Sequence, residues 1–158
     1  MPKLLSFLLL PVLVMTLASC SQTPVNPIDG TWKLTEMTVT ENGVVTPIES
    51  LGMGILILSG GWYSHIWMES DRLYSDPPTE LEKLHAYDAF DASAGTYTLK
   101  NQQLTFDPQV ARDPRSVGKP TSTMVKLEGD KMTRTKEQPN RDKPSEMMQW
   151  TSVYTRIK

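Results

Sequence analysis

Four tight-turn signatures cut this chain into short segments of β-favouring residues. Asn42-Gly43, Ser59-Gly60-Gly61, Asn101-Gln102 and Glu128-Gly129-Asp130 each stand between runs rich in Val, Ile, Thr, Tyr, Phe or Trp. Asn-Gly favours the positive φ angles of a two-residue hairpin, and a turn that short can join only antiparallel neighbours. Strands are therefore expected over residues 30–40, 44–48, 52–58, 62–69, 94–100, 103–106, 121–127, 131–136 and 149–157. Pro47 pushes the second of these toward a sheet edge or a bulge. Antiparallel strands following one another along the chain are most simply arranged as an all-β, eight- to nine-stranded up-and-down barrel.

One segment breaks the pattern. After Asp76-Pro77-Pro78, Thr79 and Glu82 have capping-box spacing, and Leu81, Leu84, Tyr87 and Phe90 recur at helical intervals. This predicts one short helix over residues 80–90, between the fourth and fifth strands. Its apolar stripe should lie against a flank or an end of the sheet, because so short a helix does not stand alone. Residues 107–120 carry three prolines and five charges and read as a loop, as do residues 138–145.

Alternation assigns most inward faces. Trp32 pairs with Leu34, Tyr97 with Leu99, Leu104 with Phe106, Val125 with Leu127, and Trp150 with Tyr154 and Arg156. In the first strand Met37 and Val39 fall out of phase with Trp32, which requires a bulge or strong coiling near Glu36. The strand over 62–69 carries apolar residues on both faces: Trp62, Ile66 and Met68 on one, Tyr63, His65 and Trp67 on the other. Alternation alone does not choose between them.

Charge and composition narrow the chemistry. Sixteen Lys and Arg against 18 Asp and Glu give no basic excess, so nucleic-acid binding has no electrostatic footprint. The single cysteine allows neither an internal disulfide nor a cysteine-based zinc site. His65 and His85 form no H-E-x-x-H or H-x-H pattern, and neither a nucleophile elbow nor a glycine-rich phosphate loop is present. Glu69 and Asp71 beside Arg72 read as a solvated loop. No metal, cofactor or catalytic residue is expected.

The first twenty residues read as an address. Lys3 precedes an apolar run over residues 4–17, interrupted by Pro11 and too short to span a bilayer comfortably, and Leu17-Ala18-Ser19-Cys20 follows. This order resembles the lipobox of bacterial lipoproteins. The resemblance implies a signal peptide over residues 1–19, diacylation of Cys20, and a lipidated tether over residues 20–27 ahead of a domain over residues 28–158. Ser21 after the cysteine looks like the pattern of lipoproteins sent to the outer membrane, facing the periplasm. The lone cysteine would then be an anchor and not a nucleophile.

Gly30-Thr31-Trp32 opens the first strand and Arg156 lies in the last. This pairing resembles the lipocalin and calycin signature, and implies barrel closure by Gly30, Trp32 and Arg156, with an indole across the floor and a guanidinium packed over it. The chain is more closely similar to the bacterial lipocalin-like domain. The matching segments are residues 30–34, residues 54–58 with Gly60 and Gly61, Gly95 to Tyr97 after the helix, and the hairpin over 127–132. Relatives that carry histidines in the strand after G-x-Y differ from this chain, which has Leu104-Thr105-Phe106, so no role of those histidines carries over.

The expectation is a membrane-anchored binding protein for a small hydrophobic or amphipathic molecule in the bacterial envelope. Trp62, Tyr63, His65, Trp67, Tyr97, Phe106, Met124 and Tyr154 are the candidate ligand-binding residues. Flexible methionines and flat aromatic walls suit such a cavity, though they also suit an ordinary core. A second reading is an envelope interaction module that presents the loops over 107–120 and 138–145 to a protein partner. A third, an enzyme using the barrel cavity, lacks a convincing acid–base pair.

Overall fold

The computed structural model describes residues 26–70, 72–140 and 143–158. The expected signal peptide over residues 1–19, Cys20, most of the expected tether and Asp71 lie outside the described residues. The strands are β1 (Gly30–Glu41), β2 (Val44–Pro47), β3 (Met53–Ser59), β4 (Trp62–Met68), β5 (Phe90–Lys100), β6 (Gln103–Ala111), β7 (Thr121–Glu128), β8 (Lys131–Pro139) and β9 (Met147–Ile157). One helix, α1 (Glu80–Asp88), lies between β4 and β5, and a single 3-10 turn (Pro114–Ser116) between β6 and β7. All neighbours are antiparallel in the order β2-β1-β3-β4-β5-β6-β7-β8-β9, and β1 also pairs with β9. That last pairing closes eight strands into a barrel. β2 pairs only with the far end of β1, as a hairpin outside the closed wall.

The two ends of the barrel differ. The tight turns after β3, β5 and β7 all fall at one end, where β1 begins and β9 finishes. Here Ile28, Trp32, Leu56, Leu58, Leu104 and Met132 are fully buried. Apolar burial of this density is the main stabilising contribution, at roughly 1.5–3 kcal/mol per large side chain. The connections that carry α1 and the 3-10 turn lie at the other end, with the pair Pro139 and Met147 at the ends of β8 and β9, and this end is the mouth.

β1 serves both ends because its register shifts between Leu34 and Glu36. Past that bulge Met37 lies opposite Ser152 and Val39 opposite Trp150, which returns them to the inward phase of Trp32 and Leu34. The irregularity expected near Glu36 is present, and the Thr35 hydroxyl donates to the Val153 carbonyl at 3.2 Å across it.

Two sequence expectations are corrected here. Residues 107–111 continue β6 and are not loop. Pro108 is tolerated because its carbonyl accepts from Gly118 N–H at 2.9 Å on the side away from β5, where its missing N–H would also have pointed. Helix α1 ends at Asp88 and buries none of its residues; Leu81, Leu84 and Tyr87 stay exposed. The helix is held by polar ends instead. Thr79 and Glu82 form the predicted capping box, and Arg112 donates to the Tyr87 carbonyl at 2.9 Å while its guanidinium lies over the Tyr87 ring.

Candidate functional site

Strand alternation settles which face of β4 looks inward. Tyr63 is buried and packs edge-on against Phe106, with ring centres 4.6 Å apart, so His65 and Trp67 follow it to the interior. Trp62 therefore points outward and is 58% exposed. Met124 points outward for the same reason, since Thr123 and Val125 take the buried positions of β7. Neither Trp62 nor Met124 lines the interior.

Above the packed floor lie two adjoining lobes of about 320 and 500 Å³. Leu34, Met37, Trp67, Trp150 and Tyr154 give the first lobe its apolar wall. Tyr63, Ser93, Phe106 and Pro108 face the second, which reaches the surface beside Arg115, Ser116 and Lys119. His65, Asp91, Arg134 and Lys136 border both lobes. The second lobe exists because β6 and β7 pair only from Gln103–Phe106 to Thr121–Met124. Beyond that ladder the strands part, and the segment around the 3-10 turn bridges the gap.

Tyr63, His65, Trp67, Phe106 and Tyr154 thus come together around one cavity. Tyr97 does not join them. It lies deeper, buried, with its hydroxyl donating to the Asp29 carboxylate, and burial followed by that carboxylate raises its pKa. Trp67 is held in the wall by a hydrogen bond from its indole N–H to the Leu51 carbonyl at 2.9 Å. At the floor, Arg156 lies over the Trp32 ring. Gly30 has φ of +144°, and a side chain there would meet the Arg156 guanidinium.

The polar chemistry of the cavity centres on β8. Met132, Arg134 and Lys136 occupy alternate positions, with Met132 in the floor and the two cations above it. The Arg134 guanidinium lies 4.9 Å from the Phe106 ring centre and 5.6 Å from that of Tyr154, and its Nη1 donates to the Tyr154 hydroxyl at 3.3 Å. Its Nε is buried and has no hydrogen-bond partner; neither has Thr123 Oγ1. The Tyr63 hydroxyl, also buried, makes no hydrogen bond of ordinary geometry, although the Ser93 side chain offsets part of the upward pKa shift that burial imposes. His65 is held down to a pKa of about 4, first by burial and then by the Arg134 charge, with Asp91 opposing. The imidazole is neutral at physiological pH.

Arg134, Lys136, Asp91, Met37 and Trp150 were not among the ligand-binding residues expected from sequence. The period-two pattern through Met132 would have carried Arg134 inward, but a charged residue on a polar strand is ordinarily assigned to solvent. Among the described residues no group of three His, Cys, Asp or Glu side chains is placed to hold a metal ion.

Fold and site together define an eight-stranded antiparallel barrel with a closed floor and an amphipathic cavity at the mouth, a form compatible with a lipocalin-like barrel. The chain matches no protein-family model, no curated protein and no solved structure.

Proposed function

We propose that this protein is a non-catalytic carrier or receptor for a small amphipathic molecule, of lipocalin-like type, tethered to a bacterial membrane through Cys20. The observation that carries the reading is the cavity itself. Its volume falls in the range of small-molecule sites, the first lobe has a mainly apolar surface, the second is mixed polar and apolar, and His65, Asp91, Arg134 and Lys136 stand where the two meet. An interior closed by Trp32 and Arg156 at the floor and open at the mouth admits a ligand from one end only. Residue 27 leaves the barrel at the floor end, where its carbonyl accepts from Arg156 Nη2 at 2.8 Å. A lipid anchor at Cys20 would therefore direct the mouth away from the membrane that holds it. Two or more acyl chains suffice for stable attachment.

The test uses the neutral probe N-phenyl-1-naphthylamine with the full chain carrying Cys20→Ser. Saturable fluorescence enhancement that is lost in Trp67→Ala supports the reading. No enhancement in a folded protein overturns it. Separately, labelled palmitate should enter the unmodified chain and not the Cys20→Ser variant.

A second reading, an envelope interaction module, is favoured by the apolar residues left uncovered beside the mouth, where Leu73 is 91% and Leu81 76% exposed. Crosslinking in cells from positions 73 and 81 that captures one defined envelope protein would support it; the absence of any protein adduct would count against it.

A further inference from the structure

The cavity holds a cation prepared for a partner that the described residues do not supply. Arg134 has its guanidinium near two aromatic rings, Phe106 at 4.9 Å and Tyr154 at 5.6 Å. Such contacts satisfy the charge across the plane. They do nothing for the N–H groups, which lie in the plane and need acceptors there. Nη1 has the Tyr154 hydroxyl, while Nε is buried without an acceptor. Among the described residues no carboxylate lies within ion-pair distance of Arg134.

The other charges around the cavity strengthen the argument. Asp91 on β5 is turned toward Arg112, at 3.7 Å, and Asp113 is held by Arg115 at 2.9 Å. Lys136 and Lys119 face the same space with no ion-pair partner among the described residues. Each of these acids thus has an arginine of its own, although Asp91 still borders the cavity, while Arg134, Lys136 and Lys119 have no ion-pair partner among the described residues. The apolar wall of Leu34, Met37, Trp67 and Trp150 begins beside Arg134.

We infer that the ligand is an amphiphile with an oxyanion head: the head accepts from the Nε edge of Arg134, with Lys136 as a second cation, and an apolar chain lies along Leu34, Met37, Trp67 and Trp150. The inference rests on the reading of the barrel as a small-molecule binder and adds to it the charge and polarity of the ligand. A carboxylate and a phosphate monoester share the chemistry, because each offers two oxygens to the side-on edge of a guanidinium.

The experiment titrates the full chain carrying Cys20→Ser with dodecanoate, dodecyl phosphate and dodecanol by calorimetry. At least one of the two anions should bind ten times or more as tightly as the alcohol, the scale expected of a buried charge-assisted hydrogen bond. Arg134→Gln should reduce anion affinity to that of the alcohol and leave the alcohol within about twofold. Lys136→Gln, at an exposed position, should weaken the anions by about threefold and keeps the test available if Arg134→Gln does not fold. The better anion identifies the head as carboxylate or phosphate. Equal affinity for anions and alcohol, or equal loss of both in Arg134→Gln, overturns the inference while leaving the carrier function standing. Failure of all three amphiphiles together with the neutral probe removes the carrier function as well.

Discussion

Arg156 stands with its guanidinium carbon 4.1 Å from the centre of the Trp32 ring, so that the last strand clamps the first across the barrel floor. The clamp is polar on its other side. Nη1 donates to the Asp29 carbonyl and Nη2 to the Pro27 carbonyl, while Trp32 Nε1 donates to the Ile28 carbonyl at 2.9 Å. One indole and one guanidinium thus satisfy three carbonyls of the segment leading into β1, and hold that segment over the core.

Truncating the two partners should have unequal effects. Trp32 is fully buried, and Trp32→Ala should cost about 3–5 kcal/mol, since the floor cannot collapse into the space. Arg156→Ala should cost about 1–2 kcal/mol from lost hydrogen bonds and ring contact. Urea midpoints measure both. An Arg156 variant with the wild-type midpoint would count against the clamp.

The bulge in the wall depends on a missing side chain. Gly95 on β5 sits where the register with β6 shifts, and a Cβ there would run into the Asp107 carbonyl oxygen. Backbone cannot yield as a flexible side chain does, so Gly95→Ala should cost on the order of 3 kcal/mol. Gly60, at φ +56° with open space around it, provides the contrast: Gly60→Ala should cost only about 1 kcal/mol, from backbone strain alone. Equal midpoints for the two variants would be inconsistent with the close approach at Gly95.

Turn chemistry and period-two patterning made the strand order and the helix position legible in the sequence, because both act locally. Even the bulge near Glu36 showed itself, through the phase slip between Trp32 and Met37. What remained hidden depended on distant partners. Gln103–Phe106 looked like a complete strand because the pairing that carries β6 on to Ala111 is with β5, across a register shift that no local pattern records. The helix stripe of Leu81 and Leu84 promised burial, yet Arg112, more than twenty residues away, anchors the helix by its end. Arg134 escaped notice for a related reason. Its value as a site residue comes from Phe106 and Tyr154, brought to it from two other strands.

Because α1 buries none of its residues, its stability should be separable from that of the barrel. Thr79 Oγ1 accepts from Glu82 N–H at 3.2 Å, and the Glu82 carboxylate accepts from Thr79 N–H and from Ser75, contacts that hold its pKa down to about 2. Thr79→Ala should raise hydrogen exchange across residues 80–88 by about five- to tenfold. Strand amides and the urea midpoint should not change. A parallel loss in the strands would show that the helix contributes to the barrel after all.

His65 should make stability fall with acid before any carboxylate does. Its pKa lies near 6.5 when unfolded and about 4 in the folded wall, lowered first by burial and then by Arg134. Between these values the unfolded chain binds a proton that the folded protein refuses, so the contribution is fully present above pH 6.5 and is lost as pH falls toward 4. The difference sets a ceiling of about 3 kcal/mol on the loss. The Glu82 contribution has a lower window, present above its unfolded value near 4.5 and lost only as pH falls toward 2. Urea midpoints at pH 7.5 and 5.0 should therefore differ in the wild type and differ less in His65→Gln. Arg134→Gln removes a positive charge that helps hold the imidazole neutral and should move the His65 titration, followed by NMR, upward toward 6.5. An imidazole that titrates near 6.5 in the wild type would place His65 in water rather than in the cavity wall.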